Sequence, residues 1–163
     1  FIMNIPEIDP EEVYAALQKG VPPSEMPLFM PVPSNFDPGA APPGKQLVIA
    51  AMGASSDPRV PCDRILDGVD AKVKELYPEI EKHEIWQLRT DTEHIRKITG
   101  REYGDVIGLA QIPGQVGKDK PSPRLPIAGL WVVGCDAGAR GIGTEQAATS
   151  GMAVSSRIIE GCK

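Results

Sequence analysis

One stretch constrains this chain more than any other: Gly129-Leu130-Trp131-Val132-Val133-Gly134-Cys135-Asp136-Ala137-Gly138-Ala139-Arg140-Gly141-Ile142-Gly143-Thr144-Glu145-Gln146-Ala147-Ala148. It reads as a buried strand over Leu130 to Val133, then a glycine-rich turn, then a helix that opens on Thr144. Glycines let a backbone approach a neighbour closely. A turn of this kind presents main-chain N–H groups at the positive end of a helix dipole, which suits a phosphate or an electron-rich ring. Only 20 residues follow Gly143. The unit therefore reads as the last βα element of a nucleotide-binding domain rather than its first, with the rest of that domain outside the chain.

A length of 163 residues allows one domain with a real core and excludes two large ones. The 41% apolar and 24% charged content is that of a globular chain rather than a disordered one. Net charge is −5 with acids and bases interspersed, and no basic patch marks a nucleic-acid surface. No apolar run reaches the roughly 20 residues of a membrane-spanning helix. Cys62, Cys135 and Cys162 are odd in number and far apart, so neither a disulfide framework nor a zinc site is supported, and a reducing compartment is expected. His83 and His94 lie among charges and read as surface residues. The opening Phe-Ile-Met-Asn-Ile lacks the pattern of a signal peptide.

Along the chain, Asp9-Pro10-Glu11-Glu12 has the residues of a helix start, and Gly20 a stop. Residues 27–33 are extended, with Pro31 limiting them to an edge strand. Residues 35–44 form a turn-rich connector, and 46–52 a short apolar strand. Ile65, Leu66, Val69, Val73, Leu76 and Tyr77 recur at helical spacing over 62–77, and Pro78 ends that helix. Residues 84–88 read as a strand, Thr90 or Asp91 as the cap of a short helix to Ile98, 103–111 as extended, and 114–126 as a loop whose tip, Lys118-Asp119-Lys120, is solvated. There is no internal repeat. The mixture is α+β, with strands that need partners in a larger mixed sheet.

Several phrases, in order, carry a resemblance. Residues 34–46, Ser-Asn-Phe-Asp-Pro-Gly-Ala-Ala-Pro-Pro-Gly-Lys-Gln, resemble a connector of the phytoene desaturase-like flavoproteins. Arg89-Thr90-Asp91-Thr92-Glu93-His94-Ile95 resembles their R-T-P-x-D stretch, without its proline. Residues 103–111, Tyr-Gly-Asp-Val-Ile-Gly-Leu-Ala-Gln, are similar to their G-x-x-Y-G stretch. Residues 121–134, Pro-Ser-Pro-Arg-Leu-Pro-Ile-Ala-Gly-Leu-Trp-Val-Val-Gly, resemble the segment that enters their final flavin-contacting strand. The likeness runs over roughly residues 25–160.

This resemblance implies the C-terminal portion of an FAD-dependent oxidoreductase. Residues 1–126 would belong to a substrate-binding domain, and 127–163 would supply the closing strand and helix of an FAD-binding, Rossmann-like domain. The GxGxxG motif that holds the FAD diphosphate in such proteins has no counterpart here. Gly134, Cys135 and Asp136 would lie near the ribityl and diphosphate, and Gly141, Ile142, Gly143 and Thr144 near the flavin pyrimidine. Tyr103 would line the cavity for an apolar, polyene or isoprenoid-like substrate undergoing desaturation, saturation or isomerisation. The implied partner is the missing FAD-binding portion or a partner subunit, without which the chain would not be active. The implied location is the cytoplasm or the periphery of a membrane.

Other readings stand beside this one. Gly134, Gly138 and Gly141-Ile142-Gly143 superficially match a short-chain dehydrogenase turn, and a structural loop with no ligand is a third option. The chain would then be a non-catalytic partner or an interaction module that has lost the flavin. Tyr103 would also serve as sheet packing, Cys135 as a small structural cysteine rather than a nucleophile, and Arg140 as a diphosphate partner or a solvated charge. If the Leu130–Val133 strand is separated from the rest of its sheet, its open edge and apolar face predict self-association.

Overall fold

The computed structural model describes residues 2–161. The architecture is α+β: five helices and one antiparallel pair of short strands among the described residues. Internal contacts divide the chain into two units, Phe1–Asp105 and Val106–Lys163.

In the first unit, β1 (Ile2–Asn4) pairs with β2 (Leu28–Met30) in the register Ile2–Met30, Met3–Phe29, Asn4–Leu28. Between them runs α1 (Pro10–Gln18), started by Asp9, whose carboxylate accepts from the Glu11 N–H at 2.9 Å. Gly20 follows at φ +65°, with the Pro61 carbonyl where a Cβ would stand. Alternation along β2 turns Leu28 and Met30 inward and leaves Phe29 outside. They join Met26 and Val69 in a buried cluster, with Val73 and Leu76 packed against it. Each such side chain contributes about 1.5–3 kcal/mol on leaving water. Val69, Val73 and Leu76 come from α2 (Asp63–Leu76), where the three- and four-residue spacing had placed a helix. A short α3 (Ile80–His83) follows Pro78, and α4 (Thr92–Thr99) closes on Gly100 at φ +72°.

Three expected strands of this chain are absent from the described residues as strands. Residues 46–52 do lie beside β2, with Phe29 and Ala51 exchanging hydrogen bonds at 2.9 and 3.0 Å and Ile49 N–H donating to Pro31 C=O at 3.0 Å. Pro31 has no N–H to return, so the pairing stops at a bridge. Within residues 84–88 the Glu84 N–H closes α3 by donating to Ile80 C=O at 2.9 Å, and no described backbone hydrogen bond pairs the segment with another strand. These residues run along α2 instead, tied by Gln87 to Asp70 at 2.7 Å and by Arg89 to Asp67 at 2.6 Å. Residues 130–133 make one bridge, Arg124 with Trp131, because the opposing arm carries Pro121, Pro123 and Pro126 and donates only from Leu125. Nor is 130–133 buried: Leu130, Val132 and Val133 are exposed. The expected extended stretch 103–111 is a series of turns. A larger mixed sheet is accordingly not formed among the described residues.

The second unit is organised by α5 (Gly143–Gly161), which begins one residue before the expected Thr144. Its buried face is Gln146, Ser150 and Val154, at four-residue spacing, and it packs polar groups as well as apolar ones.

Candidate functional site

The glycine-rich turn lies against the first two turns of α5. Ser150, 1% exposed, holds it at one end: the Gly134 N–H donates to Ser150 Oγ at 2.8 Å, and that hydroxyl lies 3.1 Å from Gly134 C=O. Gln146, fully buried, holds it at the other, its Nε2 donating to Ala137 C=O at 2.9 Å and to Gly117 C=O at 3.1 Å. A short 3-10 turn, Gly117–Asp119, wraps the outside. From it Lys120, only 4% exposed, reaches inward and donates from Nζ to Cys135 C=O at 2.7 Å. The expectation of a solvated tip at 118–120 is thus corrected at Lys120, whose stem is packed under the turn while Lys118 and Asp119 remain outside.

These contacts decide what the turn can offer. The Gly134 N–H goes to Ser150, the Ala137 N–H to Gly134 C=O, the Gly138 N–H to Pro121 C=O at 2.8 Å and the Ala139 N–H to Gly117 C=O. Asp136 accepts from the Leu109 N–H at 3.2 Å, and Cys135 Sγ lies 3.9 Å from the Asp136 carboxylate. The stretch around Gly134, Cys135 and Asp136 is therefore largely engaged with its own unit. A Cβ on Gly138 would stand 2.7 Å from Lys120 C=O and 3.1 Å from Pro121 C=O, so glycine there serves close backbone packing.

Beyond Arg140 the situation reverses. Gly141 has φ +91° and Gly143 φ +56°, and Ile142 between them is 59% exposed. No described hydrogen bond engages the N–H groups of Gly141, Ile142, Gly143 or Thr144. They open onto the first turn of a 19-residue helix, where partial positive charge collects. Glu145 lies across Gly141, its carboxyl group about 2.7–2.9 Å from the place of a Gly141 Cβ. An acid there stabilises the helix start and holds negative charge at the same amides. For a flavin, then, Gly141 to Thr144 offer open donors, and the residues around Gly134 offer shape rather than donors.

Tyr103 belongs to the first unit, where it lines a cleft of about 250 Å³ with Cys62, Asp63, Thr92 and Arg96. Gly104 makes this possible: at φ +66° it brings the chain against Thr92, whose carbonyl leaves no room for a Cβ. Asp91 caps α4 by accepting from the His94 N–H at 2.8 Å. In the next residues, the Arg96 guanidinium hydrogen-bonded to Glu93 pulls that carboxyl down to about 2, with Lys97 adding to the effect. Cys62, buried at the start of α2, lies 3.7 Å from Thr92 Oγ1. Sequence reasoning gave Cys62 and Lys120 no part in a site and did not single out Gln146 or Ser150. The four-residue spacing of Gln146 and Ser150 was the available signal for the last two. Cys162 lies outside the described residues. Among the described residues no three His, Cys, Asp or Glu side chains gather as a metal site. No helix among them is long and apolar enough to cross a membrane.

No family model, no curated protein and no solved structure matches the chain.

Proposed function

We propose that the chain supplies the flavin-contacting turn and closing helix of an FAD-dependent oxidoreductase that acts on an apolar, polyene or isoprenoid-like substrate. The observation that carries this reading is the row of unengaged amides from Gly141 to Thr144 at the start of α5. When bound, FAD would supply two-electron hydride chemistry that side chains lack. The residues of this chain would orient it: Gly141, Ile142, Gly143 and Thr144 by donating main-chain hydrogen bonds toward the electron-rich edge of the ring, Gly134, Cys135 and Asp136 by shape along the ribityl and diphosphate. Tyr103, with its ring on an open cleft, is assigned to the substrate side. In this reading the remaining FAD-binding polypeptide comes from outside these residues, and the chain has no activity by itself.

A second reading has its own support. Ser150, Gln146 and Lys120 fill the inner side of the turn, and Glu145 sits across Gly141. A non-catalytic partner that had lost its flavin would have the same arrangement. FAD titration separates the two. The product of the reading frame that encodes the chain is expected to carry flavin absorbance and to reduce or oxidise a polyene, whereas the 163-residue chain leaves added FAD essentially free. A colourless product that takes up no FAD refutes the flavoprotein reading. Tight FAD binding by the 163-residue chain refutes the need for further polypeptide.

A further inference from the structure

The arm Leu130–Val133 has one edge engaged and one edge open. Toward residues 121–126, the Leu125 N–H donates to Leu130 C=O at 3.2 Å and the Val132 N–H donates to Pro123 C=O at 2.8 Å. Along an extended strand the N–H and C=O directions alternate. Those of Trp131 and Val133 therefore point to the other edge, and no described hydrogen bond engages them. Exposed edges are normally guarded by lysine, proline or a bulge. The arm carries no such guard of its own: no charged residue and no proline occurs from Ile127 to Cys135, and the nearest charge is the Arg124 guanidinium, 5.8 Å from the centre of the Trp131 ring. Val133 is 55% exposed and Val132 39%.

We propose that a second copy of this chain docks on the open edge, antiparallel, about a two-fold axis at Val132. The pairing is self-complementary. With the axis there, Trp131 lies opposite Val133 of the other copy, and the two residues exchange both hydrogen bonds. The symmetric pair does the same, so every open N–H and C=O of Trp131 and Val133 is satisfied in both copies. An aromatic residue opposite a β-branched one is a favourable cross-strand pair. Moving the axis to Trp131 would set Val133 opposite Gly129, and moving it to Val133 would set Trp131 opposite Cys135. Neither keeps the large apolar side chains paired. No like charges meet, and the proline-bearing arm on the far side offers no equivalent edge. The contact therefore closes at two copies, joined edge to edge along their Leu130–Val133 arms. This inference does not rest on the flavin reading and competes with it for one edge: in a complete FAD domain the remaining polypeptide would pair there, so the test is made on the 163-residue chain.

Sedimentation equilibrium and light scattering on the whole chain test it. The expected result is a concentration-dependent dimer. Val133→Pro removes an outward N–H without touching the inner hydrogen bonds, and Val132→Lys sets two ammonium groups face to face across the axis. Both are expected to be monomeric, with unchanged far-UV circular dichroism. Val132→Cys, with the three native cysteines changed to serine, is expected to oxidise to a covalent dimer. Its Cα atoms would stand about 4.5 Å apart in a non-hydrogen-bonded pair, within disulfide range. A wild-type chain that is monomeric at every concentration overturns the proposal, as does a dimer that survives both edge variants or an open-ended assembly. Should Val133→Pro fail to fold, absence of the covalent dimer overturns it instead.

Discussion

Ser150→Ala tests the latch between the turn and α5. The hydroxyl accepts from the Gly134 N–H at 2.8 Å and has one proton to give, to Gly134 C=O at 3.1 Å or to Ala147 C=O at 3.0 Å. Alanine removes both bonds at a position 1% exposed. The two carbonyls lose little, because an oxygen accepts more than one bond and the Ala147 carbonyl lies within α5. The Gly134 amide loses its described acceptor. A buried donor left unpaired costs about 1–3 kcal/mol; Gly134 is half-buried, so the expected loss of stability lies at the low end, about 1 kcal/mol. Urea unfolding should show a lower midpoint with an unchanged slope, because the surface exposed on unfolding hardly changes. Hydrogen exchange should show the Gly134 amide losing protection, while amides in the middle of α5 keep theirs relative to one another. A change below about 0.3 kcal/mol with Gly134 still protected would refute the reasoning, since that is smaller than any buried donor left unpaired.

Three further outcomes are expected. Gly138→Ala drives a Cβ into the carbonyls of Lys120, Pro121 and Lys118 at 2.7, 3.1 and 3.2 Å, all main chain, and should cost about 1–3 kcal/mol in denaturant unfolding; an unchanged midpoint would show that the 117–121 wrap is loose. Asp91→Ala removes the cap of α4 and should cost about 0.5–2 kcal/mol, read as lost amide protection at His94. Glu93, held at about 2 chiefly by its hydrogen bond to Arg96, lies below its ordinary value of 4.5, so its support of α4 is full above pH 4.5 and disappears as pH falls through 2. Carbon-detected titration of its carboxyl should give a midpoint near 2, returning toward 4.5 in Arg96→Ala; a wild-type midpoint near 4.5 would contradict the pairing.

Four of the five helices were legible because their signals are local; the single-turn α3 (Ile80–His83) was not. Asp9 and Pro10 start α1, Asp91 caps α4 with Gly100 ending it, and the spacing of Ile65, Val69, Val73 and Leu76 marks the buried stripe of α2. The strands were not, because a strand is a property of two segments. Residues 46–52 and 130–133 have strand-like composition, yet each faces a proline-bearing arm that cannot complete a ladder. Residues 84–88 lost their strand to Asp67 and Asp70, whose pull on Arg89 and Gln87 is invisible without the fold. At the candidate site, the glycines of 134–143 pointed to a turn before a helix, and that turn is present. What sequence could not express is that its donors split into an engaged group before Arg140 and an open group after it. Lys120 illustrates the reason: a lysine in Lys-Asp-Lys reads as solvated, and only the wrap of Gly117–Asp119 around the outside of the turn turns its stem inward.

The most direct test of the central claim is hydrogen exchange at the amides of Gly141, Ile142, Gly143 and Thr144 in the product of the full reading frame, with and without FAD. The account predicts fast exchange in the flavin-free protein, since these donors have no described partner, and marked protection at these four positions once FAD is bound. Exchange at all four that stays fast and unchanged while FAD is demonstrably bound would contradict it.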